Sequence, residues 1–150
     1  MLIKRTVMGD MRYTIEELKV GQKESFGKTI TESDVYEFAG VTGDMNPAHI
    51  NEAYAAGTFF KTRIAHGMLS AGLISAALSG KLPGPGTIYL GQTLSFLSPV
   101  HFGDTITATV EVIELQPWKN IAKLRTTCVN QDGQCVIEGV ATVKPPKAQK

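Results

Sequence analysis

The stretch Gly67–Gly80, GMLSAGLISAALSG, constrains the fold more than any other part of the chain. It carries no charge, it is apolar on every side, and it is built largely from Gly, Ala and Ser. A helix without a polar face is expected to be buried all round. Its small residues let neighbouring backbone come close. Gly80 stops it, and Leu82–Gly86, LPGPG, turns the chain away. The rest of the chain must therefore wrap this helix, and 150 residues are enough for one domain with a substantial core.

The sequence before the helix reads helical. TESDVYEFAGVTG opens on the capping residues Thr31 and Ser33, spaces Val35, Phe38 and Ala39 for one helix face, and closes at Gly43. NEAYAAGTFF predicts a short helix ended by Gly57. The sequence after it reads as strands. In DTITATVEVIEL, Ile106, Ala108, Val110 and Val112 fall on one face and Thr105, Thr107, Thr109 and Glu111 on the other. TIYLGQTLSFLSPV alternates in part, NIAKLRTTCVN and QCVIEGVATVK predict a hairpin about Asp132-Gly133, and ESFGKTI predicts a further strand near the start.

Strands joined by short turns make an antiparallel sheet. One buried helix and one long antiparallel sheet have a natural solution: the sheet curls around the helix, an α+β hot-dog arrangement. The expected organisation is one domain over residues 1–150, with residues 1–12 as an N-terminal extension and 144–150 as a flexible tail. Such a sheet leaves an edge, which predicts a homodimer or a dimer of dimers.

Composition removes several functions. The formal charge is +1, so no global field recruits nucleic acid or a membrane surface. The uncharged run Ile64–Gly80 falls short of the roughly 20 residues a membrane helix needs. The first residues hold no apolar secretion-signal run, and cytoplasm is the expected location. Cys128 and Cys135 are expected to be free thiols. A two-residue hairpin loop sets Cys128 opposite Ile137 and Cys135 opposite Asn130, whereas a four-residue loop sets the two cysteines opposite each other.

Several motifs fail. GPGTIYLG precedes a strand and lacks the Lys-Ser/Thr ending of a phosphate loop. GMLSAG has the wrong serine spacing for a nucleophile elbow. No His-Glu-x-x-His or Cys-x-x-Cys spacing supports a metal. What remains is TGDMNPAHI, Thr42–Ile50. Pro47 disfavours helical geometry at Asn46, so the segment is expected to be a loop with Asp44 and His49 off any helix face. A carboxylate and an imidazole touching one water can divide it between two substrate atoms. The competing reading is a polar turn in which both residues only cap. Further on, His66-Gly67 opens the buried helix. The first N–H groups of a helix are unpaired and carry the positive end of its dipole. Gly67 lets a carbonyl approach, a good place to stabilise an enolate oxygen. His66 is either part of that site or a histidine that packs at the helix start. Ser75, eight residues past Gly67, is close to the same face, and Leu78 stands one turn beyond it.

FAGVTGDMNPAHINEAYA, RIAHGMLSAGLISAAL and GTIYLGQTLSFLSPVHFGDTITATVEV together resemble the MaoC-like dehydratases, and within them the (R)-specific enoyl-CoA hydratases. The resemblance spans about residues 14–143 and departs from the family pattern at Ala48, where a larger aliphatic residue is usual. It implies a homodimeric hot-dog fold and reversible hydration of trans-2-enoyl-CoA to (R)-3-hydroxyacyl-CoA. Asp44 and His49 then match the catalytic pair that activates water, Ser75 a serine that supports the pair, and Gly67 the backbone donor to the thioester carbonyl. Leu78 is a candidate limit on acyl depth, its alternative being core packing, and AGTFFKTRI a candidate cover. No metal or redox cofactor is expected, since CoA is part of the substrate. The rival readings are a dehydratase for branched or dicarboxylic acyl groups, with Arg63 as the nearby cation, a thioesterase, and a non-catalytic acyl-CoA-binding subunit.

Overall fold

The computed structural model describes residues 11–149. The elements, in chain order, are strand β1 (Lys23–Thr29), helices α1 (Glu32–Thr42), α2 (Pro47–Ile50), α3 (Glu52–Ala56) and α4 (Gly67–Gly80), then strands β2 (Ile88–Gln92), β3 (Ser95–Phe96), β4 (Thr105–Gln116), β5 (Ile121–Val129) and β6 (Cys135–Lys144). The sheet runs β1-β4-β5-β6-β2, with β3 also on β6, and every pairing is antiparallel. This is the α+β hot-dog arrangement that the sequence predicts.

The alternation in β4 does what it promises. Ile106, Ala108, Val110 and Val112 are all fully buried, and they meet Leu73, Ile74, Ala77 and Leu78 of α4 in one core with Leu124, Cys128 and Val143. Helix α1 starts where expected. Thr31 accepts from the Asp34 N–H and the Asp34 carboxylate accepts from the Thr31 N–H, a reciprocal cap.

Four expectations are corrected. Helix α4 is not buried on all sides: Met68, Gly72, Ser75 and Ser79 form an exposed stripe. The stripe has no charge because its residues are small, and small residues read as apolar in a sequence whichever way they point. The Pro47 segment is not wholly a loop. Pro47 takes the first position of α2, where its missing N–H costs nothing, so His49 sits on a helical turn while Asp44 stays in the loop before it. The hairpin loop is Gln131–Gly133, closed by Asn130 N–H to Gln134 O. Cys128 faces Ile137, the partner that the two-residue alternative gave it, but a bulge sets Val129, not Asn130, opposite Cys135. Both cysteines are free. The C-terminal tail does not simply fray, since Pro145 and Pro146 are buried and Asn120 Nδ2 donates to Pro145 O.

The extension expected over residues 1–12 lies mostly outside the described residues. Just past it, the Tyr13 N–H bonds to Pro83 O. Between β2 and β3 the chain crosses β6 very closely. A Cβ added to Gly139 would lie 1.8 Å from the Thr93 carbonyl oxygen, so only glycine lets the strands pass. Among the described residues, no helix is long and apolar enough to cross a membrane.

Candidate active site

The site is assembled from the loop after α1, from α2, and from the first turn of α4. At the end of α1 the Thr42 hydroxyl donates to Phe38 O and accepts from the Asp44 N–H. Asp44 Oδ1 accepts from the Asn46 N–H, and Asn46 Oδ1 in turn caps α2 through the Ala48 N–H. Short polar residues thus turn the chain sharply and hold Asp44 exposed at its tip.

His49 Nδ1 lies 2.7 Å from the Ile64 carbonyl oxygen. A carbonyl only accepts, so Nδ1 carries the hydrogen and the neutral ring keeps a bare Nε2. His66 Nε2 lies 2.9 Å from the Asp44 carbonyl oxygen, which fixes its hydrogen on Nε2 in the same way. The two rings stack with centroids 3.9 Å apart at 32°, and Phe38 lies against His66 at 4.7 Å. His66 is 2% exposed, and its Nδ1 has no partner among the described residues. It holds the Asp44 backbone in place from below.

These groups open into one hollow of about 540 Å³. Asp44, His49, His66 and Gly67 line it. Phe59, Phe60, Phe96 and Val136 are among the residues that give it apolar walls. The structure therefore brings four of the six expected site residues together. Ser75 is not among them: it lines a second hollow with Gly72, Tyr89 and Leu90. The reason is distance along the axis. Eight residues of helix climb roughly 12 Å from Gly67, whatever their angular spacing. Leu78, 1% exposed, belongs to the core beside Ile74 and Leu82.

The serine that the sequence reading missed is Ser70. It lines the first hollow, is fully buried, and its hydroxyl has no partner among the described residues. The signal was present: Ser70 stands four residues after His66, one turn up the same face.

Asp44, His49 and His66 offer ligand atoms within 4.8 Å of one another, which is the reach of a divalent ion. The stack works against one. Each imidazole lone pair lies in its own ring plane, and two rings face to face set these planes side by side, whereas metal ligands converge.

Arg63, the cation closest in sequence to the site, is already engaged. Its guanidinium donates to Glu52 Oε2 at 3.1 Å, to Glu32 Oε1 at 3.0 Å and to Tyr36 Oη at 2.7 Å. Burial opposes its charge, but these bonds outweigh it and hold its pKa above the ordinary value. Hydrogen bonds from Arg63 and then Tyr36 depress Glu32, and those from Thr62 and then the Arg63 N–H depress Glu52.

Comparison with known proteins agrees with this geometry. Residues 16–133 match the MaoC like domain family. The chain is 60% identical to an (R)-specific enoyl-CoA hydratase of Rhodospirillum rubrum, across 87% of this chain and 90% of that protein. It is 50% identical to a 3-hydroxybutyryl-CoA dehydratase of Methylorubrum extorquens, across 90% and 85%. Among solved structures, the unliganded R-hydratase PhaJ1 of Pseudomonas aeruginosa superposes with a TM-score of 0.85 at 51% identity, covering 90% of this chain and 86% of that one. The (R)-hydratase of Aeromonas caviae involved in PHA biosynthesis gives 0.84 at 46%, covering 87% and 99%.

Proposed function

This chain belongs to the MaoC-like family, and from that premise we propose that it catalyses the reversible syn hydration of a trans-2-enoyl-CoA to an (R)-3-hydroxyacyl-CoA. The observation that carries the reading is the hollow in which the Asp44 carboxylate and His49 Nε2 stand beside the first turn of α4.

The chemistry follows from that placement. The thioester makes the β-carbon of the enoyl group electrophilic. A water between Asp44 and His49 Nε2 gives its oxygen to that carbon and one proton to the pair. Asp44 takes the proton as the water attacks. His49 enters as an acceptor, because its Nδ1–H is committed to Ile64 O. It can donate only once it has been protonated, so the α-carbon receives its proton after the pair has taken one from water. Hydroxyl and hydrogen come from one water on one face, which makes the addition syn. Negative charge gathers on the thioester oxygen meanwhile. The Gly67 N–H and the positive end of α4 stabilise it there. The thioester itself is the electron sink, so no metal or redox cofactor enters the step.

Met68 lines both hollows. A longer acyl chain leaving the first hollow would follow α4 past Met68 to the second. Ser75 then meets the acyl chain rather than the water. A dicarboxylic acyl group would need a free cation, and Arg63 is held by Glu32 and Glu52.

We assign the chain to a homodimer, alone or paired into a dimer of dimers, built on the β2–β3 edge. Ile88, Tyr89, Leu90, Phe96 and Leu97 support this, being 40–58% exposed along that edge. Cytoplasm, where two unpaired thiols stay reduced, is the assigned location.

The test is turnover of crotonyl-CoA, followed by loss of the conjugated thioester absorbance and by the chirality of the product. Release of free CoA without a hydroxyacyl product would sink the hydratase in favour of a thioesterase. For the assembly, Leu90→Asp should turn a sedimenting dimer into a monomer, and an unchanged sedimentation coefficient would place the interface elsewhere.

A further inference from the structure

His49 owes its tautomer to a single atom, the carbonyl oxygen of Ile64. That oxygen belongs to an irregular segment, so something must hold it still. The segment bonds to its surroundings on both sides of Ile64. The Ile64 N–H donates to Ala48 O and the Ala65 N–H to Val100 O. Just before them, Thr62 Oγ1 and the Arg63 N–H donate to the two carboxylate oxygens of Glu52 on α3.

The Arg63 side chain completes the arrangement. Its fork returns to Glu52 with Nε, reaches Glu32 and Tyr36 on α1 with the two terminal nitrogens, and lies 4.9 Å above the Phe102 ring. Tyr36 Oη also donates to Glu32 Oε1. Only 15% of the side chain is exposed. One planar group thus ties α1, which leads into Asp44, to α3, which follows His49, and to the residue before Ile64. A lysine has one nitrogen and no fixed fork, and cannot make these bonds together.

We propose that Arg63 is a positioning residue for the reaction: its clamp on Glu32 and Glu52 fixes the Ile64 carbonyl, which keeps the hydrogen of His49 on Nδ1 and the lone pair of Nε2 facing the water. The proposal rests on the reading of His49 as an acceptor in the hydratase site. Without the clamp, Ile64 O moves, both tautomers of His49 become populated, and only the fraction with bare Nε2 reacts.

The experiment is ¹⁵N NMR of the histidine side chains, with His49 assigned by loss of its signals in His49→Gln, alongside steady-state kinetics on crotonyl-CoA. The chain has 3 histidines, so the spectrum is simple. The wild type should show His49 in the single Nδ1–H tautomer. Arg63→Met, which keeps the aliphatic stem, should show mixed tautomers with the circular dichroism unchanged. Its kcat should fall about 10- to 100-fold, while KM stays within about twofold. Arg63→Lys should fall between the two. A merely structural arginine would lower the amount of folded protein and leave the tautomer alone. A His49 spectrum unchanged in Arg63→Met overturns the proposal, as does an unchanged kcat. If that variant does not fold, Glu52→Gln serves instead: a partial shift toward the second tautomer supports the clamp, and an unchanged spectrum overturns it. A wild type with the stated tautomer but no turnover of any enoyl-CoA would sink the hydratase reading alone, since the spectrum needs no activity.

Discussion

The two ends of α4 are built to opposite ends. Around its first turn, His66 Nδ1 and Ser70 Oγ are buried without partners among the described residues, and Asp44 is held out toward solvent. Two turns on, Ile74, Ala77 and Leu78, with Leu82 just past the helix, are 0–1% exposed and belong to the hydrophobic core. Burying an unpaired polar group costs stability, and close packing of aliphatic groups provides it. The far end of the helix thus holds the fold while the near end leaves polar atoms uncommitted. Activity and stability should therefore separate along one helix.

The largest break in that pattern should come at the near end. Asp44→Asn keeps the size and the turn bonds of the residue but cannot take a proton. We expect kcat to fall by about 10³-fold or more, with the melting temperature unchanged. Retained activity would remove Asp44 from the mechanism. The converse is Ile74→Ala, which opens a cavity at a fully buried position. Chemical denaturation should show a loss of about 2–5 kcal/mol, with kcat per folded molecule unchanged. A fall in kcat would show that the two ends are coupled.

Smaller effects sharpen the contrast. Ser70→Ala removes a hydroxyl that nothing satisfies, so it should raise stability by about 1 kcal/mol. A loss of that size instead would mean that the hydroxyl has a partner in solution, such as a bound water. Smallest at neutral pH is an effect at the core that develops only in alkali. Burial, reinforced by Cys135, pushes the Cys128 thiol from 9.0 up to about 12. The folded state then keeps a proton that the unfolded chain releases, so stability is full below pH 9 and declines as pH rises toward 12. Cys128→Ala should flatten that alkaline decline, and an identical slope would assign it to other groups.

How much of this was legible in the sequence depended on how local the cause was. The cap of α1 and the buried face of β4 are written in residues a few positions apart, and Thr31, Asp34, Ile106 and Val110 could be read directly. Counting left Cys128 opposite either Ile137 or Cys135; the structure has Ile137, and the bulge that sets Val129 opposite Cys135 is something counting cannot see. The exposed stripe of α4 was illegible because glycine and serine look the same buried or bare. Asp44, His49, His66 and Gly67 share a hollow as their order suggested. Ser75 lies in the second hollow, which angular spacing from Gly67 does not show and axial rise does. The bonds that fix His49, through Ile64 and Arg63, join residues with no periodic relation, and only three dimensions show them.

Phe96 stands at two boundaries at once. It lies so close to Gly67 that a Cβ there would come within 2.6 Å of its ring, it walls the hollow, and it is 53% exposed on the free edge of the sheet. In the proposed dimer, one side of this ring would face the hollow and the other a second copy of the chain. Any coupling between the two would be reciprocal: substrate would change self-association by the same factor that self-association changes substrate affinity. In such a dimer the affinity of the site would be a function of protein concentration.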